Sequence, residues 1–131
     1  MPTTDKNPAT PPVQLQKTAD FVSRYSNHVR FESTVFDLKM LFGQSDLANS
    51  PPETILQHTP ITIPWAQAKM LAYFLATAIV LQEVENGKIR IPPGQLPAPP
   101  VLPEGQENNA LLKEALPLIR KLRDELVAGN S

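Results

Sequence analysis

Apolar and polar side chains alternate between residues 28 and 42, and the alternation changes parity once. In "NHVRFESTV" the apolar positions Val29, Phe31 and Val35 alternate with polar ones, which is the period-two pattern of a half-buried strand. From Phe36 onward, in "FDLKMLF", the apolar side chains occupy the other parity. Because a change of parity turns side chains to the other face of a strand, we expect a turn or bulge between Ser33 and Phe36 that separates two strands, most simply as a hairpin.

A third strand is expected after a loop. The segment "GQSDLANSPPE" contains Gly, Asn, Ser and two consecutive prolines, which are typical of a loop. The following "TILQHTPITI" places Ile55, Ile61 and Ile63 on one face. Pro60 cannot donate a ladder hydrogen bond, which indicates an edge strand or a bulge at that position.

A long helix is predicted next, from about Pro64 to Asn86. Pro64 suits the first position of a helix, and Gly87 suits the left-handed cap at its end. One stripe with helical spacing is expected to cover the strands and comprises Leu71, Phe74, Leu75, Ala78 and Leu81. A second, nearly apolar stripe lies on the opposite side and comprises Met70, Tyr73, Ala76, Thr77, Val80 and Val84. The first stripe and the strands predict one core that contains Phe31, Leu38, Phe42, Leu71 and Phe74.

A helix with two apolar sides is expected to be buried on both of them. A membrane span is the alternative, but the uncharged run from Met70 to Leu81 is well short of the roughly 20 residues that a bilayer requires. Two covers for the second stripe remain open, namely the same helix of another subunit or the C-terminal segment of the same chain. We favour a homodimer, because three strands and one helix make a thin core for one chain.

The C-terminal segment "NNALLKEALPLIRKLRDELVAG" predicts an amphipathic helix, because its apolar positions recur at spacings of three and four. Pro117 is expected to kink this helix or to begin it anew. The pattern leaves open whether the helix packs on its own chain or on a neighbouring subunit. The interface candidates are therefore Met70, Tyr73, Thr77, Val80 and Val84 of the long helix, and Leu112, Leu116, Ile119, Leu122 and Leu126 of the C-terminal helix.

Proline placement divides the chain into four parts, since six of the fifteen prolines fall between residues 92 and 103. Residues 1–18 have too few apolar side chains to offset the entropy of ordering and predict a disordered arm. Residues 19–91 predict an α+β domain, in which a small antiparallel sheet of about three strands packs on the long apolar helix. Residues 92–105 predict a proline-rich linker in an extended polyproline II conformation, and residues 106–131 the C-terminal amphipathic helix.

Composition excludes several classes of function. Twelve Lys and Arg against thirteen Asp and Glu leave a net charge of -1, so no overall basic field attracts nucleic acid or anionic lipid. Because the chain has no cysteine, disulfides, thiolate nucleophiles and cysteine zinc sites are excluded, and the composition suits a reducing compartment. Met1 to Val13 lacks the apolar core of a signal peptide, so we expect a cytoplasmic location.

Two histidines are the nearest approach to a catalytic or metal site. His28 and His58, with Asp37 or Glu32, could imitate a metal or acid–base site, but the histidines lack the close spacing of typical ligand pairs. Solvent-facing or hydrogen-bonded strand histidines are the favoured interpretation. The sequence has no phosphate-binding loop and no nucleophile elbow. We therefore expect no catalytic residue, no cofactor and no metal.

A basic strip is the nearest approach to a nucleic-acid surface. Arg30, Lys39, Lys88 and Arg90 could form one beside aromatic side chains. Acidic residues are interleaved with these cations on the strands, and alternating charges on a half-buried sheet usually mark a solvated face. Binding of nucleic acid is therefore not the favoured interpretation.

Three short motifs occur in order along the first two thirds of the chain: Tyr25, Ser26 and Asn27; Phe42, Gly43 and Gln44; and Pro64, Ala68 and Lys69. Together they resemble the bacterial family known as domain of unknown function 3467, over about Tyr25 to Ile91. The resemblance implies a small strand-rich α+β unit. It implies no chemistry, because the function of that family is unassigned. The proline-rich linker and the C-terminal helix depart from its short members.

The expected function is that of a non-enzymatic oligomeric assembly or adaptor protein of unassigned role. Its dimeric body would present the proline-rich segment and the C-terminal helix to a protein partner. The alternative is a nucleic-acid or small-ligand binding module that uses the polar face of the sheet. An enzyme is the least favoured of the three classes.

Overall fold

The computed structural model describes residues 12–45 and 54–130. In these ranges a three-stranded antiparallel sheet precedes two α-helices, which confirms the predicted α+β class. The elements are strands β1 (His28–Ser33), β2 (Asp37–Ser45) and β3 (Ile55–Pro64), helix α1 (Trp65–Asn86), a short 3-10 turn (Pro93–Gln95) and helix α2 (Ala110–Gly129). The chain divides into two compact units, Met1–Ala68 and Lys69–Ser131. The predicted arm up to residue 11 and residues 46–53 of the predicted loop lie outside the described residues. The loop prediction is wrong for residues 43–45, because their pairing with β3 extends β2 to Ser45.

Strands β1 and β2 pair as the predicted hairpin, and Thr34 makes the turn between them. The Thr34 backbone N–H donates to Asp37 O at 2.9 Å. The Thr34 Oγ1 accepts hydrogen bonds from the backbone N–H groups of Phe36 and Asp37 at 3.1 and 3.0 Å. The Trp65 indole N–H donates to Thr34 O at 2.9 Å, which fastens the start of α1 to this turn. The Thr34 side-chain oxygen therefore stabilises a turn without glycine or proline, the residues that turns usually contain.

Strands β2 and β3 pair with a register shift between Phe42 and Gly43, where β3 carries one extra residue, His58. The shift brings the two backbones so close that a Cβ at Gly43 would lie 2.5 Å from Leu56 O. Glycine is required there because of close backbone approach, which is a common reason for glycine inside a strand. Pro60 also lies on β3, which is an edge strand of the sheet, as predicted.

Polar side chains just before β1 fix its position against β2. The Ser26 Oγ accepts a hydrogen bond from the Gly43 N–H at 3.2 Å. The Ser26 hydroxyl donates to the backbone oxygen of Gly43 at 2.9 Å. The Asn27 Oδ1 accepts from the Ser45 N–H at 2.7 Å. Because each of these bonds joins residues 17 or 18 positions apart, they set the register of the hairpin from its open end.

The buried side chains of the sheet lie on its central strand, where Leu38 and Met40 are 9% and 7% exposed. Strand β2 has neighbours on both sides, whereas β1 and β3 each have one. Phe31 on β1 is 60% exposed, and Phe74 on α1 is 52% exposed. The interior position expected for Leu38 is confirmed, whereas the Phe31 ring is not buried by its own sheet. The predicted core that joins these strands to Leu71 and Phe74 spans both units and stays a prediction.

The ends of α1 follow the prediction within one residue. Pro64 is the last residue of β3, where it pairs with Asp37, so α1 begins at Trp65 rather than at the proline. Gly87 ends the helix with a φ of 93°, and its N–H donates to Glu83 O at 3.0 Å. This is the predicted left-handed cap.

Helix α2 is continuous from Ala110 to Gly129 and contains Pro117 in its interior. Of the two outcomes expected at Pro117, a new helix start is therefore wrong, and a kink stays a prediction. Asn109 caps its start, because the side-chain oxygen accepts from the N–H groups of Leu111 and Leu112. Pro117 removes one backbone hydrogen bond from the helix interior, and the Asn109 cap satisfies two N–H groups at the helix start.

Gly43→Ala should destabilise the protein by about 1–3 kcal/mol, because the new methyl group meets backbone rather than a movable side chain. Gly94→Ala is the matched control, since a Cβ there meets nothing within 4 Å. Denaturant unfolding at one fixed protein concentration measures both changes. Equal stability of the two variants would contradict the close approach at the bulge.

Candidate interaction surface

The second stripe of α1 is open to solvent along its whole length. Tyr73 is 67% exposed and Val84 is 79% exposed, and the candidates Met70, Thr77 and Val80 are exposed as well. The five residues project from one side of a helix of 22 residues, which is about 33 Å long. The structure thus brings the helical half of the predicted interface together as one elongated surface.

Thr77 is the polar member of this stripe, and its hydroxyl is already occupied. The Thr77 Oγ1 donates to Tyr73 O at 3.0 Å, one helical turn earlier. A hydroxyl that bonds to its own helix backbone presents its methyl group outward. The middle of the stripe is therefore apolar in character, although the sequence places a threonine there.

The opposite side of α1 is apolar and exposed too. Phe74, Leu75, Ile79 and Leu81 are each about half exposed, and the Tyr73 and Phe74 rings meet edge to face at 5.6 Å between centroids. Nevertheless, in the described ranges no helix is long and apolar enough to cross a bilayer. The middle of α1 therefore has exposed apolar side chains on two sides and no polar side.

Helix α2 is fastened to the proline-rich segment of its own chain. The Arg120 Nε–H donates to Pro100 O at 3.4 Å, and the Arg123 Nε–H donates to Pro97 O at 3.2 Å. The backbone at Leu96, with φ −67° and ψ 138°, is extended as in polyproline II. Carbonyls in that conformation have no partner within their own helix, so they are available to side-chain donors. The segment is therefore a support for α2 and not a free spacer.

The end of α2 closes on the segment that follows α1. The Asn130 Nδ2–H donates to Ile91 O at 2.9 Å, and Asn130 Oδ1 accepts from the Ile91 N–H at 2.6 Å. Beside this pair is a cavity of about 330 Å³ with a lining of Ile79, Glu83, Ile89, Ile91, Glu125, Leu126, Gly129 and Asn130. The C-terminal helix thus packs in cis, which the sequence left open.

The five candidates on α2 divide between two environments. Leu112 and Leu116 are half-buried, whereas Ile119, Leu122 and Leu126 are exposed. Because the second stripe of α1 stays exposed although α2 is bound in cis, α2 does not cover that stripe. No local pattern indicates the Arg and Asn contacts, since a hydrogen bond to a distant carbonyl depends on how two segments lie side by side.

A cleft of about 560 Å³ lies in the sheet unit, with a lining of Asp20, Val22, Arg24, Ser26, Phe42, His58, Thr59 and Ile61. A hydrogen bond from the Thr18 hydroxyl, at 2.6 Å, and one from the backbone of Asp20 lower the pKa of the Asp20 carboxyl below its usual value. Asp20 and Arg24 precede the first strand and form no motif, so no sequence pattern indicates them.

The two histidines do not form a metal site. The His58 Nε2 lies 2.9 Å from Tyr25 O, and its Nδ1 lies 2.7 Å from Thr59 Oγ1, so both ring nitrogens are occupied in structural contacts. His28 begins β1, and its Nδ1 has no hydrogen-bond partner among the described residues. No group of three His, Asp or Glu side chains in residues 12–45 and 54–130 is arranged to hold a metal.

On the sheet, the candidate basic strip is not a continuous row of cations. Lys39 on β2 lies directly opposite Glu32 on β1, and Arg30 lies opposite Leu41. A cation beside a carboxylate contributes little to an extended positive field. This arrangement is that of a solvated sheet face.

No protein-family model, no curated protein and no solved structure matches the chain. The resemblance to domain of unknown function 3467 therefore stays a prediction.

Asn130→Asp should weaken the closure of α2 on its own chain by about 1–3 kcal/mol, since the variant loses the donor to Ile91 O and adds a negative charge at a helix C-terminus. Faster amide hydrogen exchange at Ile91 and in the last turn of α2 would report the loss. Asn108→Asp is the control, because it makes the same chemical change at the N-terminal end, where the helix dipole favours an acid. Unchanged exchange in Asn130→Asp would contradict the clamp.

Proposed function

We propose that the protein is a non-enzymatic oligomeric assembly or adaptor protein, and that α1 forms a contact between two copies of the chain. The observation that carries the proposal is the exposure of apolar side chains on two sides of α1 in a single chain. A helix that is hydrophobic all round is normally buried. Exposed apolar surface of this extent marks an interaction site in a soluble protein.

A second copy of the chain is the occupant that fits the second stripe of α1 best. The helix α2 of the same chain is held on the proline-rich segment and leaves the stripe exposed. A two-fold contact places the same apolar stripe against itself, so every buried side chain meets an apolar one. The homodimer that we propose thus uses Met70, Tyr73, Thr77, Val80 and Val84.

The surface for a further protein partner is proposed on α2 rather than on the proline-rich segment. Carbonyls of that segment already accept hydrogen bonds from Arg120 and Arg123. By contrast, Leu111, Leu118 and Leu122 are exposed and recur at helical spacing on one side of α2. An apolar ridge of this kind suits a groove in another protein. The lack of cysteine supports a cytoplasmic location for such an adaptor.

Thr77→Glu tests the contact through α1. A carboxylate in the middle of the stripe would have to be desolvated twice across a two-fold interface, so the variant should be monomeric at concentrations where the unmodified protein is a dimer. Gln82→Glu is the matched control, because it adds the same charge to the same helix outside the stripe. Light scattering after size-exclusion chromatography gives the mass of each.

Two outcomes decide the test. A monomeric Thr77→Glu with a dimeric Gln82→Glu supports the contact. Dimers of equal stability in both variants would remove α1 from the interface.

A further inference from the structure

Strand β1 leaves one edge of the sheet open. The strand order is β1-β2-β3, so within residues 12–45 and 54–130 β1 has a hydrogen-bonded neighbour on one side only. Its sequence, HVRFES, contains no proline, whereas β3 at the other edge carries Pro60. Proline and bulges protect edge strands from pairing, and β3 has both of these features. The edge of β1 is therefore the one that is free to add a strand.

The outward groups of β1 follow from the hairpin. The Thr34 N–H donates to Asp37 O, which makes this pair a hydrogen-bonded one. Hydrogen-bonded pairs alternate along an antiparallel ladder, so Glu32 and Arg30 direct their backbone groups toward β2. The N–H and C=O groups of Val29, Phe31 and Ser33 consequently point to the open edge. A strand that adds to this edge must pair with these three residues.

We propose that β1 pairs with β1 of a second copy about a two-fold axis at Phe31, so that two three-stranded sheets join into one sheet of six strands. In this register Phe31 lies opposite Phe31 of the second copy, and Val29 lies opposite Ser33. The three pairs exchange six backbone hydrogen bonds, two for each pair. The apolar faces of both sheets then lie on the same side, and the exposed Phe31 ring gains an aromatic neighbour.

Charge complementarity selects this register. With Phe31 on the axis, Arg30 of each copy lies opposite Glu32 of the other, in the type of pair where side chains are closest. Moving the axis to Arg30 places two guanidinium groups opposite each other, and moving it to Glu32 places two carboxylates together. Either shift also reduces, from three to two, the number of pairs that the outward-pointing residues of β1 form with the second copy. The sequence of β1 is thus self-complementary in one register.

This inference deepens the proposed function, on which it rests, because it assigns a second surface to the contact between copies. A stable interface buries about 800 Å² on each partner. One face of α1, about 33 Å long and about 10 Å wide, supplies roughly half of that area. The edge of β1 is a separate surface of six residues with its own backbone pairing.

Phe31→Cys tests the register, and the chain offers a clean background because it contains no cysteine. In the proposed pairing the two introduced thiols lie on residues whose Cα atoms are about 5.5 Å apart, within the range of a disulfide. Val29→Cys is the matched control on the same strand and face, and its two copies are offset by about 14 Å along the strand. Mild oxidation should cross-link Phe31→Cys at least tenfold faster than Val29→Cys. Equal rates would overturn the register.

Charge reversal gives an independent test with the same partners. Arg30→Glu and Glu32→Arg each place like charges opposite one another in both cross-strand pairs, so each variant alone should dimerise roughly tenfold more weakly or worse. Mixed in equal amounts, the two variants should pair preferentially with each other, because every pair is again opposite in charge. Glu32 also faces Lys39 within the chain, but that contact is the same before and after mixing and cannot account for the gain.

These experiments distinguish a wrong edge pairing of β1 from a wrong contact through α1. If the unmodified chain is dimeric and Thr77→Glu separates it, while mixing the charge variants restores nothing, the edge pairing is wrong and the contact through α1 stands. If the unmodified chain is monomeric at every concentration, both are wrong. Gln57→Glu, an exposed change on the opposite edge strand, should leave the mass unchanged in either case.

Discussion

Helix α1 is exposed and has no polar side in its middle, and the proposed assembly follows from this property. Between residues 70 and 81 helix α1 has no charged side chain, and its one threonine bonds back to the helix. Burying a large apolar side chain contributes about 1.5–3 kcal/mol, so a helix that leaves many of them half exposed forgoes much of its stabilisation. The proposed contact with a second copy would supply that stabilisation.

The rest of the chain is fastened by polar contacts that leave this helix open. Thr34 closes the hairpin and accepts the Trp65 indole, and Ser26 and Asn27 lock the other end of the hairpin. In the second unit the clamp of Asn130 on Ile91 holds α2 on its own segment. Each contact satisfies polar groups within the chain, so these groups are not available to bind another molecule. Among the exposed surfaces of the described residues are the apolar sides of α1, one ridge of α2 and the edge of β1.

The sequence predicted local elements well, because local patterns determine them. The parity change at Phe36 indicated the hairpin, and Gly87 and Pro60 marked a cap and an edge strand. The turn itself was not recognisable, since Thr34 uses a side-chain oxygen where glycine or proline is usual. Contacts between distant residues, such as Arg123 with Pro97, follow from how the helix and the segment lie side by side and leave no periodic signal.

Burial could be predicted only in part. The pattern correctly placed Leu38 in the interior, but it expected the same of Phe31, because a hydrophobic period shows which face is apolar and not which molecule covers it. The candidates on α1 came directly from the pattern, whereas the open edge of β1 required the strand order and the hydrogen-bond alternation. In this protein the periodicity identifies apolar faces, and the geometry shows which of them the chain covers by itself.

The mass of the unmodified protein in dilute solution shows whether a second copy covers α1. One chain has a mass of 14.5 kDa, so the account predicts a species of twice that mass that dissociates only on dilution. Sedimentation equilibrium over a wide range of micromolar concentrations would show it. A mass of one chain at every concentration would contradict the account, because α1 would then be stable in water with both apolar sides exposed.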